Sequence, residues 1–241
     1  MARERGKPAR LGIMFPSFLR SQSANAEQRL LETPRGVVTV VARCPAEEIA
    51  RLGIDDGLGF FWHKRPDLQH QALVKIAALP EGNVTLAHTA ARVIVGYVTI
   101  GAPDADTRWG RDRIAGLYEL GGVEVARDWR SCGISRALLS ALFADGSYDG
   151  AIVLATGYRW CWDYESSGMG VREYRDVLHR TMQRAGFKFF ETDEPNIAWY
   201  PDNALVARVG KKTPGDLRKQ FKALLFENVG SDYAMSEFVG R

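Results

Sequence analysis

The chain has 241 residues, 46% hydrophobic and 25% charged, with a formal net charge of +3. That composition suits a globular domain with a substantial core. The charge excess is too small for a dedicated nucleic-acid binder, and no apolar run is long enough to span a bilayer. Neither nucleic acid nor a membrane is therefore an expected partner. The three cysteines, Cys44, Cys132 and Cys161, lie far apart and form no C-x-x-C pair. Neither a zinc site nor a disulfide framework is expected, and a reducing cytoplasm fits best.

Residues 1–30 are rich in Arg, Ser, Ala and Gln and lack periodicity, which predicts a flexible arm. Residues 11–15 are too short an apolar run for a secretory segment. The β-rich segment 36–42 predicts a first strand, 46–52 a short helix and 55–59 a turn. Apolar positions Leu68, Ala72, Leu73, Ile76, Ala77 and Leu79 form one helical face over 67–79, closed by a turn at 80–83. Residues 84–88 and 93–100 read as an antiparallel hairpin, and 103–113 as a polar loop. Leu117–Val125 is the next strand, and its Gly121-Gly122 pair suggests a bulge or a close backbone approach. A helix over 134–143, a buried-type strand over 151–156 and an aromatic loop, YRWCWDYESSGMG, follow. A second helix, 171–185, ends at Gly186, the glycine position past a helix end. Strands at 187–191 and 204–209 and a helix at 214–226 complete the reading. The order is β-α-α-β-β-β-α-β-α-β-β-α. It predicts an α/β (α+β) domain over 31–226 with a mixed, mostly antiparallel sheet flanked by helices, and a tail over 227–241.

The chemistry concentrates around Arg130-Ser131-Cys132-Gly133-Ile134-Ser135, between a strand and a helix. Small residues there expose backbone N–H groups, and the helix dipole adds positive potential, a setting for a phosphorylated ligand. On residues alone, R-x-x-G-x-S is a modest signal, because many such loops are plain helix caps. The motif resembles motif A of the Gcn5-related (GNAT) acyltransferases, Q/R-x-x-G-x-G/A, with Ser135 in place of the last small residue. The resemblance implies that the amides of Arg130, Ser131, Cys132, Gly133, Ile134, Ser135 and Arg136 hold the pyrophosphate of acetyl-CoA. It also implies that Val123 and Val125 pair with the pantetheine arm. A wider resemblance covers residues 36–210. The segments LPEGNVTLAH, IVGYVTI, YELGGVEVARDWRSC, YRWCWDYESSGMGVREYRDVLHR and NALVARVG look like the acetoin-utilisation acetyltransferases. That family implies acetylation of an active-site lysine of acetyl-CoA synthetase, switching the synthetase off.

Acetyl transfer to lysine needs a neutral amine, yet a free lysine has a pKa near ~10.4, so a base is required. Glu119 and Glu124 are the candidates. Strand period places them on opposite faces unless a bulge intervenes. By its position relative to the phosphate loop, Glu119 matches the general base of the resembling enzymes, and Glu124 is the alternative. The resemblance also implies an oxyanion contact from a strand N–H near Val125, and an acid tyrosine on the helix before the late strand. Met182 stands at the place expected for that tyrosine, which leaves Tyr158, Tyr164 or solvent as the acid. Trp160, Trp162 and Tyr164 alternate with carboxylates Asp163 and Glu165, a pattern for an acceptor groove that packs a lysine stem and draws its ammonium. The core packing of these aromatics is an even alternative. Phe60-Phe61-Trp62 reads as core or groove wall. Cys132 reads as a buried filler, and the dispersed His63, His70, His88 and His179 argue against a metal. The sequence thus predicts an acetyl-CoA-dependent protein lysine acetyltransferase. A small-molecule amine acetyltransferase and a non-catalytic acyl-CoA-binding regulator are the alternatives.

Overall fold

The computed structural model describes residues 28–227. Nine strands and six α-helices alternate along this stretch. One sheet, in the order β1-β2-β4-β5-β6-β7-β9-β8, forms the centre, with β3 pairing β5 off that path. β1 (Gln28–Thr33), β2 (Gly36–Val41), β4 (Asn83–Thr89), β5 (Val93–Gly101) and β6 (Leu117–Val125) run antiparallel to one another in that order, and β3 pairs β5 in parallel. β7 (Ile152–Gly157) joins β6 in parallel after the crossover helix α3 (Ile134–Leu142). β9 (Ala204–Val209) and β8 (Lys188–Phe190) complete the sheet antiparallel.

The main departure from the sequence reading is β1. Gln28, Arg29 and Leu30 were assigned to the arm, yet they pair with Val41, Val40 and Thr39. A tight turn explains this. Thr33 Oγ1 donates to the Gly36 carbonyl at 2.6 Å, and Gly36 takes φ +114°, closing a hairpin that needs no buried face of its own. The rest of the predicted arm, and the tail after residue 227, lie outside the described residues. Two further elements carried no legible pattern: the two-residue β3 (Gly53–Ile54) and the single turn α5 (Pro195–Ala198). Short α1 (Ala46–Ile49) and α2 (Pro66–Ala78) cover one part of the sheet, with Ile49 and Leu73 buried against Val84, Leu86 and Tyr97. α6 (Gly215–Leu225) buries Leu217, Phe221, Leu224 and Leu225 against Ile152, Leu154 and Leu205.

α3 packs in the remaining core, with α4 (Val171–Arg184) beside it. Ile134, Leu138 and Leu142 recur every four residues and, with Leu139, are almost fully buried. Each such side chain stabilises the fold by roughly 1.5–3 kcal/mol on transfer from water. The helix approaches β5 so closely that a Cβ at Gly96 would meet Ile134 Cγ2 at 3.0 Å and the Glu124 carbonyl at 3.2 Å. This contact anchors the start of α3 over the end of β6.

Candidate active site

β6 and β7 pair only from Leu117↔Ile152 to Glu119↔Leu154, after which they separate. Each then keeps a single partner, β5 for β6 and β9 for β7. A cavity of about 680 Å³ opens where they part. The backbone of β6 faces it. The Ala126 N–H is spent on the Val95 carbonyl, so alternation turns the polar groups of Val125 and Val123 away from β5. The Val125 carbonyl accordingly accepts from Arg130 Nε at 3.4 Å. The unpaired edge of β6 therefore borders the gap, and both valines line it.

The start of α3 closes one end. Ser131 and Gly133 take φ +62° and +78°, bending the chain sharply into the helix. Gly133 is the N-cap and makes no side-chain cap bond, so the first-turn N–H groups keep their capacity to donate. Gly133, Ile134, Ser135 and Arg136 line the cavity, as do Arg130 and Ser131. A Cβ at Gly133 would meet nothing within 4 Å, which leaves room above the cap for a bulky anion. Cys132 turns the other way and packs on the α3 core.

Register decides the orientation of the two glutamates. Thr99 pairs Gly122 while Ile100 pairs Leu120, so Gly121 is an extra residue, a bulge. Glu119 and Glu124 are five positions apart and would face opposite ways in a regular strand. The bulge adds one step. Glu119 opposes Gly101 and Glu124 opposes Tyr97, positions of equal parity on β5, so both carboxylates share one face and one cavity.

Their surroundings differ. Glu124 is 7% exposed and accepts two hydrogen bonds, from the Tyr97 hydroxyl at 2.6 Å and the Phe60 N–H at 2.9 Å. Burial and the neighbouring Glu124 charge push the Tyr97 hydroxyl far up, so it stays a donor. Glu119 accepts from Thr156 Oγ1 at 3.3 Å. Burial raises its pKa, opposed by that hydroxyl and by the Asp104 N–H, while the Asp104 charge adds to the rise. Glu119 is thus a weakly held carboxyl with raised basicity, and Glu124 a fixed acceptor.

The aromatic loop divides its side chains between two cavities. It forms two 3-10 turns, Arg159–Cys161 and Glu165–Ser167. Trp162 is 8% exposed and lines the main cavity beside Tyr158 and Cys161. Trp160 stacks on Tyr158 at 4.9 Å and, with Tyr164, lines an adjoining cavity of about 570 Å³ that Trp162 also borders. Phe60 and Phe61 supply the opposite wall, and a Cβ at Gly122 would meet the Phe61 ring at 3.2 Å. Asp163 does not offer its charge to an incoming amine. It pairs with Arg130 Nη2 at 2.6 Å and accepts from Ser166. Burial opposes that charge, but Ser166 and Arg130 hold the carboxyl below its usual range. The Arg130 side chain, which also donates to Ser166 Oγ at 2.8 Å, therefore braces the aromatic loop.

Tyr174 on α4 escaped the sequence reading. It lines the cavity with Leu178 and Met182 at four-residue spacing, so it shares Met182's face two turns earlier. Burial raises its pKa, keeping the phenol protonated at neutral pH. Among the described residues, no group of three or more His, Cys, Asp or Glu could hold a metal ion, and no helix is long and apolar enough to cross a membrane.

No family model matches the chain. It is 40% identical over 196 residues to the acetoin utilization protein AcuA of Bacillus subtilis, covering 81% of this chain and 92% of that protein. It is 35% identical over 199 residues to AcuA of Bacillus licheniformis, covering 82% and 93%. The crystal structure of an acetoin utilization protein from Exiguobacterium sibiricum matches with a TM-score of 0.80 and 36% identity, over 83% of this chain and 94% of that one. The chain belongs to the AcuA family of acetoin utilization proteins.

Proposed function

We propose that the protein is a cytoplasmic, acetyl-CoA-dependent protein Nε-lysine acetyltransferase that modifies and inactivates acetyl-CoA synthetase. One observation carries the reading. A carboxyl of raised basicity, Glu119, borders the same gap as an unpaired strand edge and an uncapped helix N-terminus. The pyrophosphate of acetyl-CoA sits at the amides of residues 130–136, and its pantetheine arm runs along Val123 and Val125. The acceptor lysine enters between Phe61 and the Tyr158–Trp162 side, with Trp160, Trp162 and Tyr164 forming the outer groove. The acceptor itself is argued from the relatives being named acetoin utilization proteins and from the resemblance to enzymes that act on this synthetase.

The chemistry is direct transfer in a ternary complex. Glu119 takes a proton from the lysine ammonium, the free amine attacks the thioester carbonyl carbon, and a strand N–H near Val125 steadies the oxyanion. The carbon–sulfur bond then breaks, the Tyr174 phenol protonates the departing thiolate, and the second proton of the attacking nitrogen restores the phenol as the neutral amide forms. The products are acetyl-lysine and coenzyme A.

The test is incubation of purified protein with acetyl-CoA and acetyl-CoA synthetase. Thiol release above background, one acetylated active-site lysine by mass spectrometry and loss of synthetase activity are expected. Unmodified synthetase beside rapid acetylation of a small amine would replace the protein acceptor with a small one. Tight acetyl-CoA binding without turnover of either acceptor would leave a non-catalytic regulator.

A further inference from the structure

Glu119 and Thr156 meet where β6 and β7 part. In the parallel register Glu119 lies beside Leu154, two residues before Thr156, and the threonine side chain reaches back across the opening. Its hydroxyl donates to Glu119 Oε1 at 3.3 Å, and both residues line the cavity. We infer that Thr156 is a positioning residue for acetyl transfer, its hydroxyl holding the Glu119 carboxyl against β7 and stabilising its charged form.

The other groups facing Glu119 do not replace this contact. From the loop after β5, Asp104 donates through its N–H but opposes ionisation with its own carboxylate. On the same strand face, Glu124 is committed to Tyr97 and Phe60. The Glu194 charge acts on Tyr158, the next group outward, and Tyr158 is a neutral phenol held up by burial. Burial pushes Glu119 toward its neutral form, which cannot accept a proton, and the hydrogen bond from Thr156 pulls it back toward the charged form. A base tuned by burial alone would be idle over more of the working range. The threonine donor keeps it ionised without bringing a positive charge into a site that must also admit an ammonium. Serine supplies the same donor, and valine matches the shape without one.

The inference rests on the base role of Glu119, and its test separates the two. The side-chain carboxyl carbons of glutamate are labelled with 13C in the full chain, and the Glu119 signal is assigned by its loss in E119Q. T156V should raise the titration midpoint of Glu119 by about one pH unit, the scale of one lost hydrogen bond to a charged group. T156S should keep the wild-type midpoint. Retained near-ultraviolet circular dichroism checks the fold, and T156A carries the same expectation if T156V does not fold. A midpoint unmoved in the valine or alanine variant, or moved equally in T156S, overturns the inference. With any acceptor that the enzyme turns over, the acid limb of kcat should move by the same interval. Full turnover by E119Q would instead remove the base role and leave the titration result standing.

Discussion

The two halves of the cavity are built on different principles. The half proposed for the acyl donor is mostly backbone: the free edge of β6 at Val123 and Val125, and the uncapped first turn of α3. Its side chains are small or turned away, as with Gly133 and Cys132. The half proposed for the acceptor is made of side chains. Phe60, Phe61, Tyr158 and Trp162 shape it, and buried pairs hold them, Glu124 to Tyr97 and the Phe60 N–H, and Asp163 to Arg130. Backbone amides bind what never varies in a cofactor. Side chains can be exchanged to suit a particular partner. Arg130 belongs to both halves, because its amide lies in the cradle loop and its guanidinium braces the aromatic loop.

Glu119 stands between the halves, so replacing it should have the largest effect. E119Q should lower kcat by roughly 10²–10⁴-fold, the usual range for a general base. Both KM values should stay close to wild type. The sign of the pH dependence follows from the raised carboxyl: the base works only when ionised, so activity falls as pH drops through a pKa above the usual glutamate range. That acid limb should vanish in E119Q, and a pH–rate profile of both proteins checks it. Next in size is G133E, aimed at the donor half alone. A carboxylate at the helix N-cap would occupy the place of a phosphate and repel it. Acetyl-CoA affinity should fall roughly 100-fold, about 2.7 kcal/mol, by calorimetry. G133N, whose side chain tolerates φ +78°, should bind close to normally.

D163N tests whether the halves are independent. It removes the charge that pairs with Arg130 while nearly keeping the shape. The cost should be about 2 kcal/mol, as expected for a hydrogen bond to a charged group at a partly exposed partner. For a domain of this size that lowers Tm by roughly 4–8 °C. KM should rise several-fold for both substrates, because Arg130 links the cradle to the groove. A rise for the acceptor alone would show that the brace serves one half, and steady-state kinetics with each substrate varied in turn would decide it.

The local structure of the proposed donor half was legible in the sequence, and that of the proposed acceptor half largely was not. The β6–α3–β7 crossover announced itself through a strand, a glycine loop and a helix with Ile134, Leu138 and Leu142 on one face. Those signals are local, set by periodicity and by a left-handed glycine. Gly121-Gly122 was readable as a bulge, yet the register that lets both glutamates face the cavity depends on β5, across the sheet. Phe60 and Phe61 reach the site through a long-range contact, the Phe60 amide donating to Glu124 at a sequence separation of 64 residues. Tyr174 was missed because only Met182, four residues before Gly186, matched the expected place along the chain. A helix repeats its face every turn, so the same cavity is reached two turns earlier. Trp160 and Trp162 looked equivalent at alternating positions, but the 3-10 turn between Arg159 and Cys161 breaks strand periodicity.

That broken equivalence gives the smallest expected effect and the finest test of how side chains shape the acceptor half. Trp160 is 57% exposed, whereas Trp162 is 8% exposed. Truncating an exposed aromatic removes little burial, so W160A should leave Tm nearly unchanged. Its ring stacks on Tyr158 and meets Tyr200 edge-on at 5.9 Å, beside the adjoining cavity. An exposed aromatic pair of this kind is worth about 0.5–1.5 kcal/mol when a partner covers it. With acetyl-CoA synthetase as acceptor, KM for the protein should rise roughly 3–10-fold at constant acetyl-CoA KM and kcat. With a small amine as acceptor, W160A should behave as wild type, because so small a substrate would not reach the outer groove. An equal loss with both acceptors would mean that Trp160 acts through Tyr158 on the inner cavity, and the distinction between an inner and an outer acceptor surface would fall.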